Sequence, residues 1–319
     1  HLGGLSQSGA GILTIEATGV LPEGRITYGD VGLYDDATEA AMARVLTGIR
    51  AWSKMPVAIQ LGHAGRKAST EKPWLGGQQI APDAPNGWQT VAPSDVPFRD
   101  GENAPVALDK AGLARVREGF ADAARRAVRL GIDVIQIHAA HGYLISQFLD
   151  PLSNERDDEY GGDLTGRSRF LVEVVDAVRG AVPEGVPVLV RISATDWAAG
   201  GWDLDQTIAL SKVLKEHGVD VMDVSTGGIM SGVSIPVKPN YQVPFSEQVK
   251  SKADIPVTAV GLITKPKQAA KILAHGEADA VEIGRAALRD PYWPLRAANK
   301  LGIPSTEIPY APQYVAGAY

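Results

Sequence analysis

The chain of 319 residues contains no cysteine. This absence excludes disulfide bonds, iron–sulfur clusters, thiolate zinc sites and thiol nucleophiles from the chain. A metal site would need histidine and carboxylate ligands, and no acidic residue lies at ligand spacing from His63, His138 and His141. We therefore expect no bound metal ion.

Other common signals are missing as well. No G-x-G-x-x-G motif opens a helix, so a nicotinamide cofactor would bind as a visiting substrate rather than as the ligand of a Rossmann fold. No apolar run is long enough to cross a bilayer, and no signal peptide opens the chain. The net charge of -6 provides no attraction for nucleic acid or an anionic membrane. These absences predict a cytoplasmic protein without a nucleic-acid or membrane partner.

Seven short apolar segments follow either a glycine or a proline, and the two types alternate strictly along the chain. Glycine suits the end of a helix, where the backbone often becomes left-handed, and proline suits the first residue of a strand. The segments after glycine span 7–15, 130–137, 217–224 and 275–283, and those after proline span 55–60, 186–191 and 255–260. This pattern predicts seven strands.

Amphipathic stretches between these strands predict helices over 110–130, 164–182, 204–216 and 265–274. Strands separated by helices indicate a parallel sheet that is covered on both faces, and this favours an α/β fold of the (β/α)8 TIM-barrel type in one domain, residues 1–319. The alternation places the missing eighth strand before Gln7, in a segment removed from the chain or supplied elsewhere. The chain would then begin inside its first helix, at 1–5.

Two segments interrupt the barrel pattern. Residues 62–107, which follow the third strand of the complete barrel, form too long a connection for an ordinary loop and predict a cap or hairpin over the barrel mouth. Residues 303–319 form a tail with proline and tyrosine, which we expect to pack on a surface or on a neighbouring subunit rather than to form a helix.

The apolar run 134–137 ends in His138-Ala-Ala-His141-Gly-Tyr143. In a continuing strand the two imidazoles would point to opposite faces, whereas a turn at 139–142 would let both face one ligand. Such groups can donate hydrogen bonds to a substrate oxygen and a proton to a neighbouring atom. The alternative is a pair of core histidines beside a packing tyrosine.

Other strand ends carry groups suited to an anionic ligand. Gly261 and the pair Gly284-Arg285 end the last two strands, where this fold commonly binds phosphate. Arg191 would bring a charge into the barrel mouth and need an anionic partner, either a phosphate or a reduced cofactor ring. Gln60 could bind the edge of a heterocycle or be a buried residue bonded to backbone. The strand ends are poor in carboxylates, which makes a glycosidase improbable.

Several motifs together resemble the Old Yellow Enzyme family of flavin-dependent ene-reductases, over essentially the whole chain. They are Glu16-Ala-Thr-Gly-Val20, Gln60-Leu-Gly-His-Ala-Gly-Arg66-Lys, His138-Ala-Ala-His-Gly-Tyr-Leu144, the stretch 154–170 with Tyr160-Gly-Gly162, and Gly284-Arg285. The segments 260–263, 290–293 and 312–314 look most like the family's subclass of short bacterial NADPH dehydrogenases.

The resemblance implies non-covalent FMN at the barrel mouth and NAD(P)H as the substrate that reduces it. The implied cofactor contacts are Ala17, Gln60 and Arg191 at the flavin ring, and Gly261, Gly284 and Arg285 at the phosphate. The family reduces α,β-unsaturated carbonyl and nitro compounds. By resemblance, His138 and His141 would bind the substrate oxygen while hydride arrives at the β-carbon, and Tyr143 would protonate the α-carbon.

The chain departs from the subclass in two places. The subclass carries a flavin-contacting cysteine on its first strand, and this chain has neither that strand nor any cysteine. Members also form homo-oligomers, dimers or tetramers, in which an Arg or Trp near the C-terminus enters the neighbour's site. This chain has Ala316 there, and Tyr319 is a possible substitute. Two alternatives stay open: a barrel enzyme that anchors a phosphorylated substrate on Arg285, and a flavin-binding protein without turnover.

Overall fold

The computed structural model describes residues 1–318, and its main element is a parallel sheet of seven strands. In chain order the strands of the protein are β1 (Leu13–Gly19), β2 (Val57–Gly62), β3 (Val91–Ala92), β4 (Val106–Ala107), β5 (Val134–Ala139), β6 (Val188–Ser193), β7 (Val221–Ser225), β8 (Val257–Ala259) and β9 (Ala280–Val281). The order in the large sheet is β1-β2-β5-β6-β7-β8-β9. All seven strands predicted from the glycine and proline pattern are confirmed.

Helices connect these strands. They are α1 (Leu2–Leu5), α2 (Asp36–Arg50), α3 (Lys110–Arg129), α4 (Leu144–Leu149), α5 (Leu164–Ala181), α6 (Leu204–Glu216), α7 (Val243–Ala253), α8 (Pro266–Ala274), α9 (Arg285–Arg289) and α10 (Trp293–Lys300). The four predicted helices match α3, α5, α6 and α8 to within one residue at each end. The predicted starting helix is a single turn, α1. α2 and α7 are additional to the predicted set.

Aspartate side chains fix where the longer helices begin. The carboxylates of Asp109, Asp163 and Asp203 accept hydrogen bonds from backbone N–H groups three residues further on, at 2.7, 2.9 and 2.9 Å. Each bond satisfies one of the N–H groups that the first helical turn leaves without a partner. The starts of α3, α5 and α6 are therefore set by local sequence.

The two faces of the large sheet differ in polarity. Ile59, Ile137 and Val190 point to one face and are fully buried in the same hydrophobic core as the helices. The residues that alternate with them point to the inner face and include Gln60, Gln136, Arg191, Asp223, Thr258 and Glu282. The inner face is polar because the two-residue period of each strand separates these sets.

The edges of the sheet are β1 and β9. Among the strands described in residues 1–318, β1 has β2 as its one neighbour and β9 has β8, although Gly19 at the end of β1 also forms an isolated bridge with Gly32. The protein therefore has an α/β fold with a curled parallel sheet. Closure into an eight-strand barrel by a further strand stays a prediction.

The segment 62–107 contains the two short strands β3 and β4. They pair in parallel, and a separate antiparallel bridge joins Thr70 and Gln79 within the same segment. That the segment forms a cap or hairpin over the barrel mouth stays a prediction. The tail 303–319 contains a short 3-10 helix, Pro312–Gly317, and the side-chain amide of Gln313 donates to Gln7 at 3.2 Å. Tyr319, the proposed substitute for the intersubunit residue, lies outside the described residues.

None of the helices described in residues 1–318 combines the length and the apolar character that crossing a membrane requires.

Candidate active site

The segment after β5 brings two imidazoles and a phenol together. His138 lies on the inner face near the end of β5, and the backbone then turns through left-handed conformations at His141 (φ +58°) and Gly142 (φ +70°). The ring centroid of His138 lies 5.2 Å from that of His141 and 4.9 Å from that of Tyr143, and both ring pairs are edge to face. The turn predicted at 139–142 is therefore present, and it gathers the three rings.

This turn packs directly against the loop that follows β7. A Cβ atom added at Gly142 would lie 2.1 Å from the carbonyl oxygen of Gly228, and one added at Gly228 would lie 2.6 Å from the backbone of His141. The ammonium group of Lys67 donates to both carbonyl oxygens, of His141 at 2.8 Å and of Gly228 at 2.9 Å. Two glycines and the half-buried Lys67 thus hold the two loops together.

His138 is held as a neutral hydrogen-bond donor. Its Nδ1 accepts a hydrogen bond from the backbone N–H of Ala140 at 3.3 Å, so the ring proton sits on Nε2. Burial, with His141 and Arg191 as smaller causes, holds the pKa of His138 well below its usual value. The side chain therefore presents one N–H group throughout the neutral pH range.

His141 shares its environment with a chain of neutral polar groups. Its Nε2 lies 2.7 Å from the Ser225 hydroxyl, which also lies 3.3 Å from the side-chain oxygen of Gln242. Thr226 donates to that same oxygen at 2.7 Å, and the Gln242 amide donates to the carbonyl of Val260 at 3.0 Å. Burial lowers the pKa of His141 to about 3, with a smaller effect from Arg191, so this imidazole is neutral as well.

Tyr143 and Lys67 have shifted pKa values for the same reason. Burial raises the pKa of Tyr143 to about 12, so its hydroxyl stays protonated. Burial lowers the pKa of Lys67 to about 8. The Lys67 ammonium lies 5.0 Å from the centroid of the Tyr143 ring and 4.6 Å from that of Phe98. Lys67 is absent from the predicted site, because a lysine next to an arginine usually indicates a solvated surface.

A cleft adjoins the rings of His138 and Tyr143. Ala17 of β1, Gly62 of β2, His138 and Tyr143 line it, so the predicted Ala17 does lie beside the predicted catalytic group. His63 also lines the cleft. Its Nδ1 accepts from the N–H of Gly65 at 3.0 Å, and its buried Nε2 has no hydrogen-bond partner within the described residues.

A hydrogen-bonded chain of side chains crosses the inner face of the sheet. The amide of Gln60 donates to Gln136 at 2.6 Å, and the amide of Gln136 donates to a carboxylate oxygen of Asp223 at 3.1 Å. Gln60 is therefore buried and bonded to a side chain rather than to backbone. The residues that continue the chain toward β9 are charged.

Arg191 lies between two carboxyl groups. Its Nε is 3.1 Å from Oδ2 of Asp223, and its Nη1 is 3.8 Å from Oε2 of Glu282. The chain itself therefore supplies the anionic partner that Arg191 was expected to need, and a contact of Arg191 with a cofactor stays a prediction. The expectation that the site is poor in carboxylates fails for the same two residues. They are absent from the predicted site because Asp223 lies inside the predicted apolar segment 217–224 and Glu282 inside the predicted apolar segment 275–283.

Arg191 nevertheless keeps a free donor. Its Nε is buried, and its N–H has no hydrogen-bond partner in residues 1–318, because the nearby carboxylate is not aligned with it. An unpaired buried N–H group costs free energy unless a ligand accepts from it. This orphaned donor is the feature of the inner face that best fits a heterocyclic cofactor.

The predicted phosphate residues lie at the ends of adjacent strands. Gly261 follows β8 with φ +125° and is packed against Gln242 and Tyr241, which an added Cβ would approach to 3.0 and 3.1 Å. Gly284 precedes α9 and has open space around it, and Arg285 is exposed at the start of α9. The three residues border one end of the sheet, and their ligand stays a prediction.

Residues 4–303 match the family described as NADH:flavin oxidoreductase / NADH oxidase. The chain belongs to this family. The NADPH dehydrogenase of Geobacillus thermodenitrificans is 44% identical over 92% of this chain and 80% of its own length. The NADH:flavin oxidoreductase FG08077 of Gibberella zeae is 42% identical over 95% of this chain and 77% of its own length.

Solved structures agree with this assignment to the NADH:flavin oxidoreductase family. An old yellow enzyme homologue from Zymomonas mobilis has a TM-score of 0.74 at 25% identity, and the match covers 99% of this chain and 88% of that one. Morphinone reductase in complex with tetrahydroNAD has a TM-score of 0.75 at 28% identity, covering 95% and 82%. The resemblance to Old Yellow Enzymes is thereby confirmed. The chain is a flavin-dependent oxidoreductase of a family that uses FMN, with NAD(P)H as the reductant.

Proposed function

We propose that this enzyme reduces activated alkenes, namely α,β-unsaturated carbonyl and nitro compounds. His138 and His141 bind the substrate oxygen, and Tyr143 protonates the α-carbon. The observation that carries the proposal is the cluster of two neutral imidazoles and one protonated phenol, of which His138 and Tyr143 line one cleft. NAD(P)H and the alkene use this cleft in turn, and the tetrahydroNAD complex of morphinone reductase supports such a use.

FMN would lie against the inner face of the sheet. Ala17, Gln60 and Arg191 would contact its ring, and the orphaned N–H of Arg191 supports this placement. Gly261, Gly284 and Arg285 would hold its phosphate. When bound, FMN supplies the hydride that reaches the β-carbon of the alkene. The protein's own contribution is to position the alkene and to provide the proton.

The two histidines would bind the oxygen on which negative charge develops. His138 donates from Nε2, since its Nδ1 is already an acceptor. His141 donates from Nδ1 when the Ser225 hydroxyl donates to its Nε2 across the 2.7 Å contact, in place of the longer 3.3 Å hydrogen bond from Ser225 to Gln242. Donors placed at a developing oxyanion contribute roughly a hundredfold or more each to the rate. Ser225 is accordingly a positioning residue that selects the tautomer of His141.

Tyr143 would deliver the proton. Its pKa of about 12 keeps the hydroxyl protonated at neutral pH, and the proton moves to the α-carbon as the enolate collapses. The phenolate that remains regains its proton from solvent through the cleft. Lys67 holds the turn that carries Tyr143 by binding the carbonyl groups of His141 and Gly228.

The complete architecture forms part of the same proposal. A further strand between β1 and β9 would close the eight-strand (β/α)8 barrel, since each of these strands has one neighbour in residues 1–318. The segment 62–107 would cap the mouth of a single domain, and Phe98 from that segment already lies against Lys67. We also propose a homo-oligomer, a dimer or a tetramer.

One experiment separates this function from a flavin carrier without turnover. The protein reconstituted with FMN is mixed with NADPH under anaerobic conditions, and 2-cyclohexenone is then added while the flavin absorbance is followed. The proposal expects bleaching by NADPH and recovery of the yellow colour with stoichiometric cyclohexanone. Bleaching without recovery over a panel of enones, maleimides and nitroalkenes would overturn it.

A further inference from the structure

The Arg191 guanidinium has more carboxyl groups around it than its single charge balances. Asp223 lies 3.1 Å away and is fully buried, and Glu282 lies 3.8 Å away, next to Asp223. The Thr258 hydroxyl donates to the second oxygen of Glu282 at 3.0 Å, so the Glu282 side chain is held toward the inner face. Neither carboxyl group belongs to the cofactor or substrate contacts proposed above.

The strand register explains why these groups meet. Arg191 pairs with Asp223 across β6 and β7, and Asp223 pairs with Thr258 across β7 and β8. Glu282 directly follows β9, and its N–H donates to the carbonyl of Ala259 at 2.8 Å. All four side chains project from the inner face because they share one phase of the two-residue period.

The charges at this point do not cancel when both acids are ionised. One guanidinium faces two carboxylates, and the other neighbours, Gln136 and Thr258, are neutral. The remaining titratable groups that interact with Arg191 are Tyr241 and the imidazoles of His138 and His141, and both imidazoles are neutral. Two like charges in a desolvated site cannot both ionise without cost, so one proton is retained by the pair.

The pKa directions agree with this balance. Burial and the neighbouring Asp223 raise the pKa of Glu282 to about 8, against the lowering effect of Arg191. Burial also raises the pKa of Asp223. The cluster is therefore close to neutral below pH 8 and gains a negative charge above it.

We propose that Glu282 controls how the reduction potential of the bound flavin depends on pH. Its carboxyl group sets the net charge around Arg191 and takes up a proton from solvent when negative charge arrives there on flavin reduction. This inference rests on the proposed contact between Arg191 and the flavin ring. Glu282 is a positioning residue in this role, since it acts through Arg191.

The test measures the midpoint potential of bound FMN between pH 6 and pH 10, for the wild type and for Glu282→Gln. Glutamine has the shape of the protonated acid, so we expect equal potentials near pH 6. Above pH 8 the potential of the wild type should fall more steeply with pH than that of the variant. The extra slope is about 30 mV per pH unit, because one additional proton is taken up for each two-electron reduction. The variant should then hold its reduced flavin about tenfold more favourably at pH 9.

Two further variants keep the result interpretable. Asp279→Asn removes the same charge at the other end of β9, where Asp279 pairs with Lys250, and should leave the potential curve unchanged. Thr258→Val removes the hydrogen bond to Glu282 without changing any charge, and it should move the steep region to higher pH.

Equal curves for wild type and Glu282→Gln at every pH would overturn the inference. A constant offset at all pH values would also overturn it, because that result indicates a fixed charge without proton uptake. Failure of the proposed function looks different: the wild type itself would then bind no FMN, or NADPH would not reduce the flavin it binds.

Discussion

At the scale of single residues, the three histidines of the site make different contacts through their ring nitrogens. His138 is fixed as an Nε2 donor by a backbone N–H, and His141 is oriented by the Ser225 hydroxyl. His63 keeps a buried nitrogen without a partner in the described part of the chain. The hydrogen-bonding role of each histidine is therefore set by the neighbours of its ring nitrogens and not by the residue type alone.

Tyr143→Phe tests the proton donor. We expect flavin reduction by NADPH to keep its rate, because hydride delivery to the cofactor needs no proton from Tyr143. Reoxidation by 2-cyclohexenone should slow by roughly a hundredfold or more, the usual contribution of a general acid. Stopped-flow measurement of the two half-reactions separates them. A similar loss in both would assign Tyr143 to binding rather than to proton transfer.

Ser225→Ala tests the tautomer of His141. Without the hydroxyl, the proton of His141 is free to sit on Nε2, and the Nδ1 donor is lost for part of the population. We expect phenolic ligands, which resemble an enolate, to bind about tenfold more weakly, or ~1.4 kcal/mol. Titration of the flavin absorbance with a phenol measures this Kd. Ser246→Ala removes a buried serine bonded only to backbone carbonyls and should leave the Kd as it was.

Sequence alone predicted the residues whose placement is local. His138 and Tyr143 follow from the end of a strand and a nearby turn, and both features are written in consecutive residues. Lys67, Asp223 and Glu282 act on partners that lie far away in sequence, such as Gly228 and Arg191. Their roles depend on how strands align across the sheet, and no local pattern reveals that alignment.

At the scale of elements, the site depends on two loops that touch through their backbones. The turn after β5 and the loop after β7 approach so closely that neither Gly142 nor Gly228 has room for a side chain. Both residues also have positive φ, at +70° and +106°, where residues other than glycine are strained. The geometry of the imidazole pair is therefore a property of the loop contact.

Gly142→Ala should break this contact. The added methyl group would meet the Gly228 carbonyl oxygen at 2.1 Å, so the loops must separate. We expect a loss of about 1–3 kcal/mol in the free energy of unfolding from backbone strain alone, together with a large loss of phenol binding. Urea denaturation and flavin titration measure the two effects.

Gly180→Ala is the matched control for this change. It lies near the end of α5, where an added Cβ meets nothing within 4 Å, so the protein should become slightly more stable. If both glycine variants bound phenols normally, the loop contact would not determine the site.

The predictability of the elements follows the same physical division. Helices with strong local signals, such as the Asp-capped α3, α5 and α6, were predicted to within one residue at each end. The parallel pairing of β3 and β4 was not predicted, because each strand has only two residues and shows no alternation of apolar and polar side chains. Short elements take their conformation from the surface on which they pack.

At the scale of the whole molecule, the two faces of the large sheet have different functions. The outer face supplies the hydrophobic burial that stabilises the fold. The inner face holds buried titratable groups, which cost stability when they ionise. A second cluster of this kind lies between the loops that follow β5 and β6, where Asp150 and Asp196 both accept from the N–H of Trp202 at 3.2 Å.

This second cluster predicts how stability depends on pH. Burial, with Asp150 as the next cause, raises the pKa of Asp196 to about 9, far above the value near 4 expected in the unfolded chain. An acid whose pKa is raised on folding stabilises the protein most at low pH, and this contribution is lost as pH rises toward the folded pKa. Between pH 5 and pH 8 the titration of Asp196 should lower the free energy of unfolding by about 1.4 kcal/mol per pH unit.

Asp196→Asn tests this directly, because asparagine stays neutral while it keeps the shape of the acid. Urea unfolding at pH 5, 6, 7 and 8 should show a steadily falling stability for the wild type. The variant should have a shallower slope by about 1.4 kcal/mol per pH unit. Asp157→Asn changes an exposed acid near the same loop and should reproduce the wild-type slope. Equal slopes of unfolding free energy against pH for the wild type and Asp196→Asn would mean that Asp196 is already ionised in the folded protein at pH 5.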